Sequence, residues 1–231
     1  VCSSASTDWW LVYWVSNDQN QFVMTNNLHI ALIQCELAWE QPAENRKHLL
    51  QLLNELSEEI DLVVFPEMFA TGFSMHVEKC AETMEGETIQ WMKQLAAVKQ
   101  LVVAGSLMIR ENGNFFNRFV FAFPDGQLEY YDKRHLFSNW PAPRREAWQT
   151  LLKARAIENQ AYVAGINRVG QDANGINYLG DTCIVDSKGK VMVAAEDKKE
   201  QIITAKLSKD SLEKFRNNFR VLPDADDFDL K

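Results

Sequence analysis

A chain of 231 residues with 46% hydrophobic and 24% charged residues is one soluble domain of ordinary size. Its net charge of -8 provides no basic face for duplex nucleic acid and works against binding to an anionic membrane surface. Four cysteines at long, irregular spacings (Cys2, Cys35, Cys80 and Cys183) form neither a zinc motif nor a disulfide framework, so no metal or cofactor is expected and a reducing cytoplasm is.

Residues 1–23 stand apart. They contain no Lys or Arg and hold three of the seven tryptophans. The apolar run Trp9–Val15 is too short to span a bilayer, and the basic flank of a signal peptide is absent. The reading is an atypical extension, disordered or spurious, with an anchor as the alternative. Met24 is the expected natural start, and the domain covers residues 24–231.

From there strand and helix patterns alternate. LHIALIQC (Leu28–Cys35) is apolar enough for a buried strand. A helix opening at Pro42 carries Leu49, Leu52, Leu53, Leu56 and Ile60 as a stripe at three- and four-residue spacing. DLVVFPE predicts a second strand, GETIQWMKQLAAVKQ a second helix and LVVAGSLMI a third strand. NRFVFAF and QLEYYDK flank the turn Pro124-Asp125-Gly126 as a hairpin. A long helix follows over about Arg145–Gln160. AYVAGINRV is then a strand, YLGDTCIVD and KVMVAAE a hairpin, and QIITAKL a last strand. Ser208 is placed to cap the helix SLEKFRNNF. The alternation predicts an α/β protein, with a mixed sheet or two stacked sheets and helices outside.

Two residues are positioned for chemistry. Glu67 directly follows a buried strand, where α/β folds face their ligands, and Phe65, Met68 and Phe69 would desolvate it towards a general base. Lys133 ends a strand, where an ammonium can stabilise a developing oxyanion. A base and a cation ask for a nucleophile, but no cysteine stands at a strand-to-helix turn and no G-x-S-x-G elbow exists.

Taken together, FPEMFATGF, YDKRHLF, NWPAPR, ARAIENQAYVAGINRVG and the GDT…SKGKV hairpin resemble the carbon–nitrogen hydrolase (nitrilase) family. They are most similar to its bacterial omega-amidases, which act on 2-oxoglutaramate and similar small amides. The resemblance runs from about Leu28 to the C-terminus. It implies an α-β-β-α sandwich, pairing into a homodimer, no cofactor, and a Glu-Lys-Cys triad. By motif match Glu67 is the general base and Lys133 the lysine. Phe69 and Phe73 fall on one wall of the substrate pocket, and Asn139 and Trp140 on the other.

The resemblance also implies a gap. In the family, KRHLF leads through a second glutamate to the nucleophilic cysteine and an arginine suited to a carboxylate, before the NWP loop. Here Ser138 is joined directly to Asn139, so an internal segment of βαβ size, with the cysteine nucleophile, is absent. Losing a nucleophile from such a unit can cost on the order of 10⁶ in rate. Three accounts fit the junction: a segment dropped from the recorded gene, a genuine deletion leaving a dead binding or dimerisation module, or a substitute nucleophile. Cys35 and Cys183, on strands, are the candidates for the last, and neither is expected to have a depressed pKa. Nitrile or N-carbamoyl cleavage is the other activity in the family to set beside amide hydrolysis.

Overall fold

The computed structural model describes residues 26–56, 59–135 and 145–221. In chain order the first half holds β1 (Asn27–Gln34), α1 (Pro42–Asn54), β2 (Leu62–Val64), α2 (Val77–Cys80), α3 (Glu87–Lys99), β3 (Val102–Glu111), β4 (Asn114–Ala122) and β5 (Leu128–Asp132). The second half holds α4 (Arg145–Glu158), β6 (Val163–Gly165), β7 (Val169–Gln171), β8 (Asn177–Leu179), β9 (Cys183–Val185), β10 (Val191–Ala194), β11 (Gln201–Ser208) and α5 (Lys209–Asn218).

Six strands form one sheet in the order β11-β1-β2-β3-β4-β5. β1, β2 and β3 run parallel, and β11, β4 and β5 add antiparallel edges. Strand alternation divides their side chains between two cores. Val63, Val103, Leu107, Ile109 and Val120 meet Leu49 and Leu53 of α1 and Ile89, Met92 and Leu95 of α3. On the other face, Ile30, Leu32, Leu62, Val64, Ala104 and Phe119 meet Ala164 and Ile184 of a second sheet, β10-β9-β6. Behind that sheet, Leu152 and Ala156 of α4 pack on Val163, Cys183 and Val185. The order of layers is helix, sheet, sheet, helix, as expected. Among the described residues the second sheet has three strands against six in the first.

Most predicted elements are present. The helix after Pro42 starts with that proline in its first turn, and Ser208 caps α5 by accepting the Ser211 N–H at 3.2 Å. AYVAGINRV, read as one strand, is two short ones. Thr182 Oγ1 bonds both the N–H and the carbonyl of Asn167, at 3.0 and 3.2 Å, and the Asn167 side chain accepts the Arg168 N–H. Backbone groups occupied this way cannot continue a ladder, so the strand breaks between Gly165 and Val169.

Candidate active site

β2 ends at Val64, and Phe65-Pro66 lead the chain out of the sheet. Glu67 then begins a tight turn in which the N–H groups of Thr71 and Gly72 both bond to the Met68 carbonyl. Met68 takes a left-handed φ of 53°, which is uncommon for a side chain of its size. Ser106, fully buried on the neighbouring β3, holds it there: its Oγ accepts the Met68 N–H at 2.9 Å. Strain fixed by a buried hydrogen bond is a feature of functional turns.

The carboxylate of Glu67 is 15% exposed and faces Lys133, which is 10% exposed. Lys133 Nζ donates to Glu67 Oε1 at 2.7 Å, and Asn117 Nδ2 donates to the same oxygen at 2.6 Å. Both of these bonds fall on Oε1, so Oε2 is the oxygen on which a proton can be received. Lys133 is positioned by β4. Its N–H bonds to the Asn117 carbonyl at 2.9 Å. The residue before it, Asp132, takes a two-pronged hold from the buried Arg118 at 2.7 and 2.9 Å. The Arg118 guanidinium also meets Glu111 and lies over the Tyr130 ring. Its pKa is raised, chiefly by the Asp132 hydrogen bonds. Adjacent β4 residues, Asn117 and Arg118, thus secure Lys133, just beyond β5, and Asp132, the last residue of β5.

Phe73, at the end of the Glu67 loop, is partly exposed and stacks on Tyr178 of β8, with ring centres 5.8 Å apart. The Arg168 guanidinium also lies over the Tyr178 ring, 4.9 Å from its centre. Arg168 is buried and donates to the carbonyls of Leu37, Val169 and Gln171, and burial lowers its pKa. Gly72, with φ +67°, sits against it. A Cβ there would stand 3.2 Å from Arg168 Nη1, so the loop needs glycine for both conformation and space. Tyr178 donates to Asp172, and its pKa is pushed up to about 12, first by burial and next by the Asp172 charge. Glu67 is among the charges acting on it.

Of the residues singled out from the sequence, Glu67 and Lys133 are brought together, and Phe73 is partly exposed and stacks on Tyr178, on which the Glu67 charge acts. Phe69 is fully buried against Phe65 and Trp91, with its ring over Gly105, and packs in the core instead of lining a pocket. Asn139, Trp140 and the Ser138–Asn139 junction lie outside the described residues. Cys35 is fully buried, and burial drives its pKa up. Cys183 is pushed up to about 11, again first by burial. Among the described residues no cluster of His, Cys, Asp and Glu could hold a metal ion, and no helix is long and apolar enough to cross a membrane. Sequence reasoning missed Ser106, Asn117 and Tyr178. The signal for the first two was a polar residue at an inward position of an otherwise apolar strand.

A carboxylate that can take a proton, paired with an ammonium that can stabilise an oxyanion, is the equipment of acyl-transfer chemistry. The carbon–nitrogen hydrolase family model matches residues 29–147 and 141–217. The omega-amidase YafV of Yersinia enterocolitica is 33% identical over 254 residues, covering 88% of this chain and 98% of the relative. A 2-oxoglutaramate amidase of Bacillus subtilis is 25% identical, covering 84% and 96%. Among solved structures, a Xanthomonas campestris carbon–nitrogen hydrolase superfamily protein with an arsenic adduct in its active site aligns with a TM-score of 0.83. It is 34% identical, with 89% of this chain and 99% of that chain covered. A Saccharomyces cerevisiae member of the nitrilase superfamily, 19% identical with a TM-score of 0.71, shares the fold over 84% and 94% of the two chains. The class is a hydrolase of carbon–nitrogen bonds. The chain belongs to the carbon–nitrogen hydrolase family.

Proposed function

We propose that this chain has the site of an omega-amidase for small omega-amides of dicarboxylic acids such as 2-oxoglutaramate, and that its thiol nucleophile belongs to a segment missing between Ser138 and Asn139. The observation that carries the reading is the Glu67–Lys133 pair at 2.7 Å, on the two residues singled out by motif. The names of the omega-amidase relatives point to the substrate class. In the complete site, Glu67 takes the thiol proton as sulfur bonds to the amide carbon, and Lys133 stabilises the oxyanion. The carbon–nitrogen bond then breaks, and the amine leaves as ammonia with a proton returned by Glu67. Water, deprotonated by Glu67, hydrolyses the thioester and frees the acid and the thiol. Asn139 and Trp140 border the substrate in this reading.

Three observations support the missing segment. The family model matches in two stretches, 29–147 and 141–217, that overlap over residues 141–147. The stretch of this chain matched to the Yersinia relative, 88% of its length, is about fifty residues shorter than the 254 aligned positions. The second sheet has half as many described strands as the first. Raised pKa values at Cys35 and Cys183 argue against a substitute thiol. For the 231-residue chain itself, the second reading is therefore a binding or dimerisation module without turnover. It would work without a cofactor, in the cytoplasm, as a homodimer. Exposed Leu151 and Ile157 on α4 favour pairing through the outer helix face.

Grafting the corresponding segment of the Yersinia relative between Ser138 and Asn139 tests the reading. Ammonia release from 2-oxoglutaramate should appear in the graft and vanish with Glu67→Gln. A folded graft that releases none, or that works equally well without Glu67, contradicts it.

A further inference from the structure

One buried residue contacts both members of the pair. Asn117 is 6% exposed and lies on the inner face of β4. Its side-chain amide donates to Glu67 Oε1 at 2.6 Å, and its backbone carbonyl accepts the Lys133 N–H at 2.9 Å. Lys133 Nζ closes the ring onto the same Oε1 at 2.7 Å. The orientation of the amide follows from the chemistry, because an ionised carboxylate only accepts hydrogen bonds and Nδ2 must face it. That orientation leaves Asn117 Oδ1 buried with no hydrogen-bond partner among the described residues. Buried acceptors are normally satisfied. A side chain serving only the packing of β4 would gain by being apolar here, as Phe115, Phe119 and Phe121 on the same face are.

We propose that Asn117 is the positioning residue of this site. Its side chain fixes Oε1 of the base and its backbone fixes the lysine, so that Oε2 alone is presented to the reacting atoms. The inference rests on the reading of Glu67 and Lys133 as the reacting pair, but its test needs no turnover. Ionisable groups near the amide are Glu67 beyond the end of β2, Lys133 beyond β5 and, at longer range, Tyr178 on β8.

Asn117→Asp replaces the donor with a second acceptor of the same size. Two carboxylates in contact cannot both ionise, so they share a proton whose folded-state pKa is raised. Stability from that shared proton is present at low pH and is lost as pH rises through the raised value. The melting temperature of Asn117→Asp, relative to the unsubstituted chain at each pH, should therefore match at about pH 4. It should fall about 5 °C behind at pH 7.5, given 2–4 °C per kcal/mol for a chain of this length. Adding Glu67→Gln restores a donor–acceptor pair with reversed polarity, and most of the loss should be recovered. A deficit independent of pH that the double variant does not relieve would assign Asn117 to packing alone and overturn the proposal. So would a pair of variants that fold at no pH. If Asn117→Asp folds only in acid and the double variant folds at pH 7.5, the proposal stands.

Discussion

At the scale of single residues, thiol chemistry tests whether Cys35 or Cys183 can act as a nucleophile. Cys35 and Cys183 are buried, and both are held in the thiol form, Cys183 with a pKa of about 11. Thiolate is the reactive species, so native protein at pH 7.5 should leave both unmodified by iodoacetamide while unfolded protein is labelled at each. Peptide mapping by mass spectrometry checks this, and rapid native labelling of either would revive the substitute nucleophile. The same groups set a pH limit. A raised thiol or phenol pKa stabilises the fold fully below its unfolded value, and that contribution is lost as pH rises through the folded value. Cys183 therefore gives up stability between about pH 9 and 11, and Tyr178, raised to about 12, between about pH 10 and 12. Tyr178→Phe should flatten the upper part of the fall in melts recorded across that range. At the acid end, Glu40 is held near a pKa of 2 by hydrogen bonds from Lys79, Ser74 and His76. Its contribution is present above about pH 4.5 and lost as pH falls towards 2, a loss that Glu40→Gln should abolish.

At the scale of elements, the site depends on the β4–β5 hairpin and on the loop after β2. Arg118 is 1% exposed and clamps Asp132 and Glu111, whose carboxylates reach solvent. Arg118→Met should cost about 2–3 kcal/mol, because the freed carboxylates can rehydrate. Urea unfolding measures it. A cost below about 0.5 kcal/mol would mean that the clamp carries no stability. Phe69→Ala should cost about 3–5 kcal/mol as a core deletion and Phe73→Ala far less, which separates two residues that the sequence reading put together on the pocket wall. That reading failed at Phe69 because motif position specifies neither the direction of a side chain nor the left-handed turn at Met68. The apolar runs of β1 to β3, the turn at Pro124-Asp125-Gly126 and the cap at Ser208 were legible, since each follows from local pattern or turn chemistry. Glu67 and Lys133 were legible as a pair only by motif, because 66 residues separate them and no periodicity reports their contact. Asn117 and Ser106 were not, since a polar residue within a strand does not reveal its partner.

At the scale of the whole molecule, six strands face three across the inner core, and the outer layer presents Leu151 and Ile157 of α4 to solvent. If copies pair through that face, Leu151→Asp with Ile157→Asp should halve the mass seen by sedimentation without loss of helical signal. An unchanged mass would place the interface elsewhere. The Glu67–Lys133 pair is assembled, whereas the stretch of this chain matched to the Yersinia relative is about fifty residues shorter than the 254 aligned positions, and we propose on these grounds that the site is equipped for acyl transfer but lacks the attacking thiol. The most direct measurement is ammonia release from 2-oxoglutaramate by the 231-residue chain, beside a Glu67→Ala control. Release indistinguishable from the control is the predicted result. Release that Glu67→Ala abolishes would contradict the claim, because it would require a nucleophile within the present chain.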